Sequence, residues 1–139
     1  VSLDAGHYYA HPRNQFWPIL AQVLDEPLTL LAFPDRYQRL LANGIGLWDA
    51  IAACDRAGSL DADVRRIEAA GLVSLGQGLP RLRRVLLNGR LAWQQASRQA
   101  WPQTVRLDAL PSTSPAHAAM GFDEKLTRWR TALLAARDC

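Results

Sequence analysis

Twelve residues near the start of the chain, 6–17 (GHYYAHPRNQFW), bring together two histidines, two tyrosines, an arginine and an asparagine. Aromatic faces can stack on a flat ligand, while amide, imidazole and guanidinium groups can hydrogen-bond its edge. A pocket for a flat polar molecule needs both. The same residues also suit a loop that enters a helix. Pro12 fixes its own φ and biases His11 away from the helical region, and Asn14 is a good N-cap for the apolar run that follows it. Both readings of Asn14 stand. A second such stretch lies near the other end, 110–117 (LPSTSPAH). Short hydroxyls and backbone N–H groups on a stiff loop, as at Ser112, Thr113 and Ser114 between Pro111 and Pro115, suit phosphate. A Ser/Pro-rich surface turn is the plainer alternative.

Other chemistry is poorly represented. His7 and His11 are spaced H-x3-H, but beside Pro12 and without cysteine or carboxylate partners this is poor metal spacing. No zinc or iron–sulfur pattern and no Gly-rich triphosphate loop is present, so no cofactor is expected. Cys54 and Cys139 do not make a disulfide framework, and reduced thiols in a cytoplasmic setting are the default. With 139 residues, 49% hydrophobic and 21% charged, the chain fits one domain with a real core. It holds no apolar run of about 18 residues and no basic-then-apolar opening, so neither a membrane span nor a secretory signal is expected. Net charge is +3, and fifteen of the sixteen cations are arginine. That is compatible with a polyanionic partner and supports it only weakly.

Elements must position these residues. Phe16, Trp17, Leu20, Val23 and Leu24 have the spacing of a helix from about Asn14 to Leu24, with Trp17 and Leu20 in the core. A second helix is expected over 35–42, closed by Asn43–Gly44. Residues 44–53 read as one buried strand that leaves Trp48 and Asp49 near its end. Residues 54–70 read as a polar excursion and 72–79 as a weak helix. Arg83–Asn88 carries the continuous apolar run of a parallel strand. A helix over 90–100, a strand over 104–110, a loop over 111–121 and a final helix over 123–137 follow. Strands alternating with helices predict an α/β fold, a parallel sheet covered on both faces. In such sheets ligands gather at the carboxyl ends of strands.

The two end motifs, in this order and about a hundred residues apart, resemble the uracil-DNA glycosylase superfamily, in its DNA-deoxyinosine (hypoxanthine-DNA) glycosylase branch. There YYxHPRNxFW closes the first active-site motif, and LPSTSPA followed by Asn or His forms the last. GIGLWD at 44–49 and LLNG at 86–89 agree with it. The resemblance implies a single three-layer αβα sandwich with a short, mainly parallel central sheet. It also implies that a strand and glycine-proline turn usually precede this point, so the chain is expected to be N-terminally truncated. The implied activity is metal-free, monofunctional hydrolysis of the N-glycosidic bond of a flipped deaminated base, hypoxanthine first, by a monomer acting on damaged DNA. Excision of uracil or another mismatched base, or a non-catalytic DNA-binding fragment, are the alternatives.

Roles follow the matched motifs. Asn14 is the first catalytic candidate, positioning water or holding the purine edge. Tyr9 aligns with the aromatic that stacks on the base; Tyr8 walls the same pocket. His11 either donates to the ligand or satisfies its own loop. His117, asparagine in many members of the branch, is the second catalytic candidate. It would stabilise the developing base anion or touch a phosphate. Ser112, Thr113 and Ser114 are expected at DNA phosphates, and Met120 as a wedge entering the base stack. Asn88 either lines the pocket or begins a turn with Gly89. Asp49 is a base or a cap.

Overall fold

The computed structural model describes residues 8–47, 51–54, 82–117 and 119–137, with the backbone alone at 51–54 and 137. His7, Trp48, Asp49 and the segments expected over 55–81 lie outside the described residues.

Helix α1 spans Phe16–Leu24 and buries Phe16, Trp17, Ile19, Leu20 and Leu24. Asn14 Oδ1 accepts the Phe16 N–H at 2.9 Å, which satisfies one of the orphan amides at its start. Asp25 ends it in the left-handed region, with its N–H directed at the Ala21 and Gln22 carbonyls. A 3-10 turn, Leu28–Leu30, leads to α2, Phe33–Ala42, which stops at Asn43 and a Gly44 with φ of +77°.

The expected strand over 44–53 is two strands: β1 (Ile45–Leu47) pairs antiparallel with β2 (Ile51–Cys54), Leu47 facing Ile51. An unbroken apolar run carries no periodicity that marks such a fold-back. Next come β3 (Leu82–Asn88), α3 (Arg90–Ser97), β4 (Arg106–Leu110) and α4 (Phe122–Arg137). The sheet order is β1-β2-β3-β4. Among the described strands the β3–β4 pair is parallel, whereas β1–β2 and β2–β3 are antiparallel. The expectation of a mainly parallel sheet is corrected there. Three residues between β1 and β2 cannot make the crossover of a dozen or more that parallel neighbours require.

Both faces of the sheet are covered, as a three-layer fold demands. On one face, Leu86 and Leu110 pack with α1 and with Leu126, Trp129, Ala132 and Leu133 of α4. On the other, Leu82, Val85 and Leu87 pack with Ala96 of α3, with Trp93 and Trp101 at the edge. Leu82 joins Val85 and Leu87 because a bulge pairs Cys54 with Leu82 and Ala53 with Arg84, so the register skips one residue of β3. Arg84 reaches diagonally across the parallel pair to Asp108 at 2.8 Å. Strands β3 and β4 end side by side, Asn88 opposite Leu110. Loop 111–117 opens from that edge, and loop 8–15 meets it there through the Gln15 N–H, which donates to the Thr113 carbonyl.

Candidate active site

The first loop, 8–15, is fixed largely by aromatic packing. Tyr8 donates its N–H to the Tyr37 hydroxyl and accepts from Trp17 Nε1, both at 3.0 Å. Burial pushes the Tyr37 phenol above its ordinary pKa, so it remains a neutral partner. Tyr9 is held at φ of +56°, a conformation costly for a bulky residue. Its ring stacks on Phe16 at 4.2 Å and 27°, and Phe16 meets Trp129 of α4 edge-on at 5.8 Å. His11 is exposed; its Nδ1 accepts the Arg13 N–H at 3.1 Å, and its carbonyl accepts from Asn14 N–H.

The second loop is fixed by hydrogen bonds. Thr113 is 0% exposed. Its N–H donates to Asn88 Oδ1 and its Oγ1 accepts from Asn88 Nδ2, each at 2.9 Å. Its carbonyl accepts the Gln15 N–H at 3.0 Å. One buried residue thereby ties the end of β3 to both loops. Gly89 makes room for this approach: its φ is +99°, and an added Cβ would sit 3.3 Å from Ser112 Cβ. Ser112 Oγ and Ser114 Oγ each accept the N–H two residues on, at 3.1 and 3.2 Å. Such turns stiffen the loop and leave each hydroxyl proton able to donate. Trp129 Nε1 donates to the Pro111 carbonyl at 3.0 Å, anchoring the loop to α4.

Between this loop and α4 lies a cavity of about 330 Å³, lined by Arg13, Gln15, Ser114, His117, Met120 and Lys125 among others. Lys125, the chain's single lysine, is 1% exposed and donates to the His117 carbonyl at 2.8 Å. Burial lowers its pKa. His117 Nε2 and Gln15 Oε1 are buried with no hydrogen-bond partner among the described residues.

The geometry has a counterpart among known proteins. Over 90 residues the chain is 36% identical to a hypoxanthine DNA glycosylase of Methanosarcina barkeri, a stretch covering 65% of this chain and 57% of that one. Over 91 residues it is 34% identical to a hypoxanthine DNA glycosylase of Methanosarcina acetivorans, covering 66% and 58%. A solution NMR structure from Methanosarcina acetivorans, provisionally described as a uracil DNA glycosylase, matches with a TM-score of 0.65 at 27% identity, over 94% of this chain and 80% of that one. In sequence and in fold the chain is thus similar to proteins named as DNA glycosylases. No protein-family model matches it. The matched stretches span less than two thirds of the two sequence relatives' own length.

The expected site residues separate into two groups. Tyr8, Tyr9, His11 and Asn14 belong to the first loop, and none of them lines the cavity of the second. His117, Ser114 and Met120 line that cavity; Ser112 braces the loop. Thr113 is a correction: with its hydroxyl buried against Asn88, it is a joint rather than a surface contact for phosphate. His11 Nδ1 accepts the Arg13 N–H within its own loop. Asn14 lies one residue before the Gln15 N-cap and accepts the Phe16 N–H through Oδ1, while its Nδ2 has no acceptor among the described residues.

Three contributors escaped sequence reasoning. Asn88 looked like a turn former and is a clamp. Gln15 carried no motif signal of its own. Lys125 was legible: it sits four before Trp129, on the buried stripe of α4, where an unpaired ammonium is unusual.

Proposed function

We propose that the protein is a DNA glycosylase that hydrolyses the N-glycosidic bond of a flipped deaminated base, hypoxanthine foremost, and leaves an abasic site. The observation that carries this reading is the Gln15 N–H bond to the Thr113 carbonyl, which joins the two motif loops at the carboxyl edge of the β3–β4 pair. The two relatives named hypoxanthine DNA glycosylases favour that base; the structural relative's description keeps uracil as the control.

In this reaction water adds to C1′ of the sugar as the bond to the base breaks. The electron pair leaves with the base, which is then protonated. Negative charge therefore grows on the base, and a donor aimed there lowers the barrier. Tyr9, stacked on Phe16, is the platform for the base, a contact worth about 1–3 kcal/mol. Tyr8 walls the same side. Asn14 is the donor. Because the Phe16 N–H requires an acceptor, Oδ1 faces the helix and Nδ2 faces outward. Capping and catalysis are thus compatible in one amide: the cap uses the oxygen and the reaction uses the nitrogen. No residue in this scheme forms a covalent bond to the sugar, which makes the enzyme monofunctional.

The test is release of base from a labelled duplex carrying one deoxyinosine, read as strand breaks after alkali, beside uracil and undamaged duplexes. Wild type should break at deoxyinosine. Asn14→Ala and Asn14→Asp should both lose roughly 100- to 1,000-fold in rate, but only Asn14→Ala should lose the cap, about 1 kcal/mol of stability. Equal activity of Asn14→Asp and wild type would remove the Nδ2 donor from the mechanism. Breaks at uracil alone would move the substrate to that base. No abasic product from any duplex would sink the enzyme reading.

A further inference from the structure

The cavity beneath the second loop has unusual chemistry. Among the described residues its polar lining consists of Arg13, Gln15, Ser114, His117 and Lys125, and no carboxylate is among them. Asp123 and Glu124, in the adjoining turn of α4, are exposed and absent from the lining. Each polar lining group can donate a hydrogen bond. Lys125 Nζ carries two further N–H groups beyond the one given to the His117 carbonyl. Ser114 Oγ accepts from Ala116 N–H and keeps its proton. His117 Nε2 is buried and unpartnered, and can carry a proton toward the cavity. Gln15 points an unpartnered Oε1 inward; rotating that amide by half a turn presents its NH2 group instead.

Buried polar atoms are nearly always paired, so two orphans lining one cavity beside a buried ammonium call for an occupant. A set in which every side chain can donate, two of them cationic, fits an anion with several acceptor oxygens. The volume, about 330 Å³, exceeds what a lone phosphate needs and admits part of a nucleotide backbone. Tyr8, Tyr9 and Asn14 are not in the lining, which separates this cavity from the base platform.

We propose that this cavity is a subsite for one DNA backbone phosphate, with Lys125, Arg13, Gln15 and His117 donating to its oxygens. Of the two roles expected for His117, the phosphate contact is the one this places it in. Lys125 acts twice: it holds the His117 carbonyl, and its charge meets the phosphodiester. The burial that destabilises its ammonium is offset when the anion arrives. The proposal rests on the reading that the protein acts on DNA, and its test is independent of which base is removed.

The experiment measures affinity of the full chain for a duplex with a single tetrahydrofuran abasic site, which cannot be cleaved further. Phosphates around the site are replaced one at a time by neutral methylphosphonates. One position should weaken wild type by about tenfold, and the salt dependence of log Kd should fall by about 0.9 at that position. Lys125→Met should bind the unmodified duplex about tenfold more weakly, and lose nothing more at that same position. Arg13→Gln, at an exposed residue, repeats the test should Lys125→Met fail to fold. Losses that simply add at every position would make Lys125 a structural residue and overturn the subsite; so would the absence of any sensitive phosphate, or of DNA binding. Millimolar inorganic phosphate distinguishes the source: if it competes fully, the cavity takes the free ion and the backbone assignment fails. Coupling at one position without deoxyinosine cleavage would keep the subsite and overturn the hypoxanthine reading. Cleavage without coupling would do the reverse.

Discussion

The two loops at the carboxyl edge are built on different physics. Loop 8–15 is a packed object: Tyr9 lies on Phe16, Phe16 meets Trp129, and Tyr8 is pinned between Tyr37 and Trp17. Its polar groups mostly close local turns; Tyr8, Tyr9 and Asn14 are half-buried, and His11, Pro12 and Arg13 are exposed. Loop 111–117 is a hydrogen-bonded frame, organised by a buried Thr113 and two serine turns, and together with Arg13 and Lys125 it lines a cavity rich in donors and positive charge. On the proposed function, the difference matches two demands that a nucleotide makes. A base is flat and polarisable, and is held by stacking. A phosphate is charged and hydrated, and is held by donors that are already oriented.

That contrast can be broken at the point where the two loops share a support. Trp129→Ala removes both the edge contact with Phe16 and the hydrogen bond to Pro111, so it should disturb both loops at once. We expect a loss of about 3–5 kcal/mol in urea unfolding. A loss below about 1 kcal/mol would show that the loops do not depend on this support. Thr113→Val keeps the shape and deletes the acceptor for Asn88 Nδ2, leaving a buried donor unpaired. It should cost about 1–3 kcal/mol and lower DNA affinity more than it affects Tyr9 stacking, read by the fluorescence of a base analogue at the flipped position. Equal damage to both readouts would mean the frame also sets the platform.

The smallest expected effect concerns pH. Burial holds the Lys125 pKa below its ordinary value. As pH climbs through the alkaline range from the folded value to the unfolded one, the unfolded chain binds more protons than the folded chain. Unfolding free energy attributable to this group therefore rises with pH there. Tyr37, pushed upward by burial, works in the opposite sense. The difference between wild type and Lys125→Met isolates the lysine: wild type should gain on the variant between neutral and alkaline pH. A gap that narrows instead would contradict a desolvated ammonium.

Much of this was legible from residue order. Helix α1, the apolar strand β3 and helix α4 follow from hydrophobic spacing, because each buries one face and must repeat with its own period. Motif residues Tyr9, Asn14, Ser114 and His117 were named from their types and neighbours. The hairpin of β1 and β2 was not legible, since β pairing depends on a partner strand that a local window does not contain. Nor was the fate of Thr113: a threonine between two serines looks the same whether its hydroxyl meets water or Asn88, twenty-five residues earlier.

By itself the sequence determined which groups the site has: rings and an amide in one stretch, hydroxyls and an imidazole in another, and a single lysine on the buried stripe of the last helix. Only the tertiary structure decided which of them work together. Gln15 and Lys125 join His117 around one cavity, while Asn14, adjacent to Gln15 in the chain, belongs to the other side. The physical reason is that consecutive residues at a helix entry point in different directions, and hydrogen bonds across the fold, such as that from Gln15 to Thr113, choose the direction each takes.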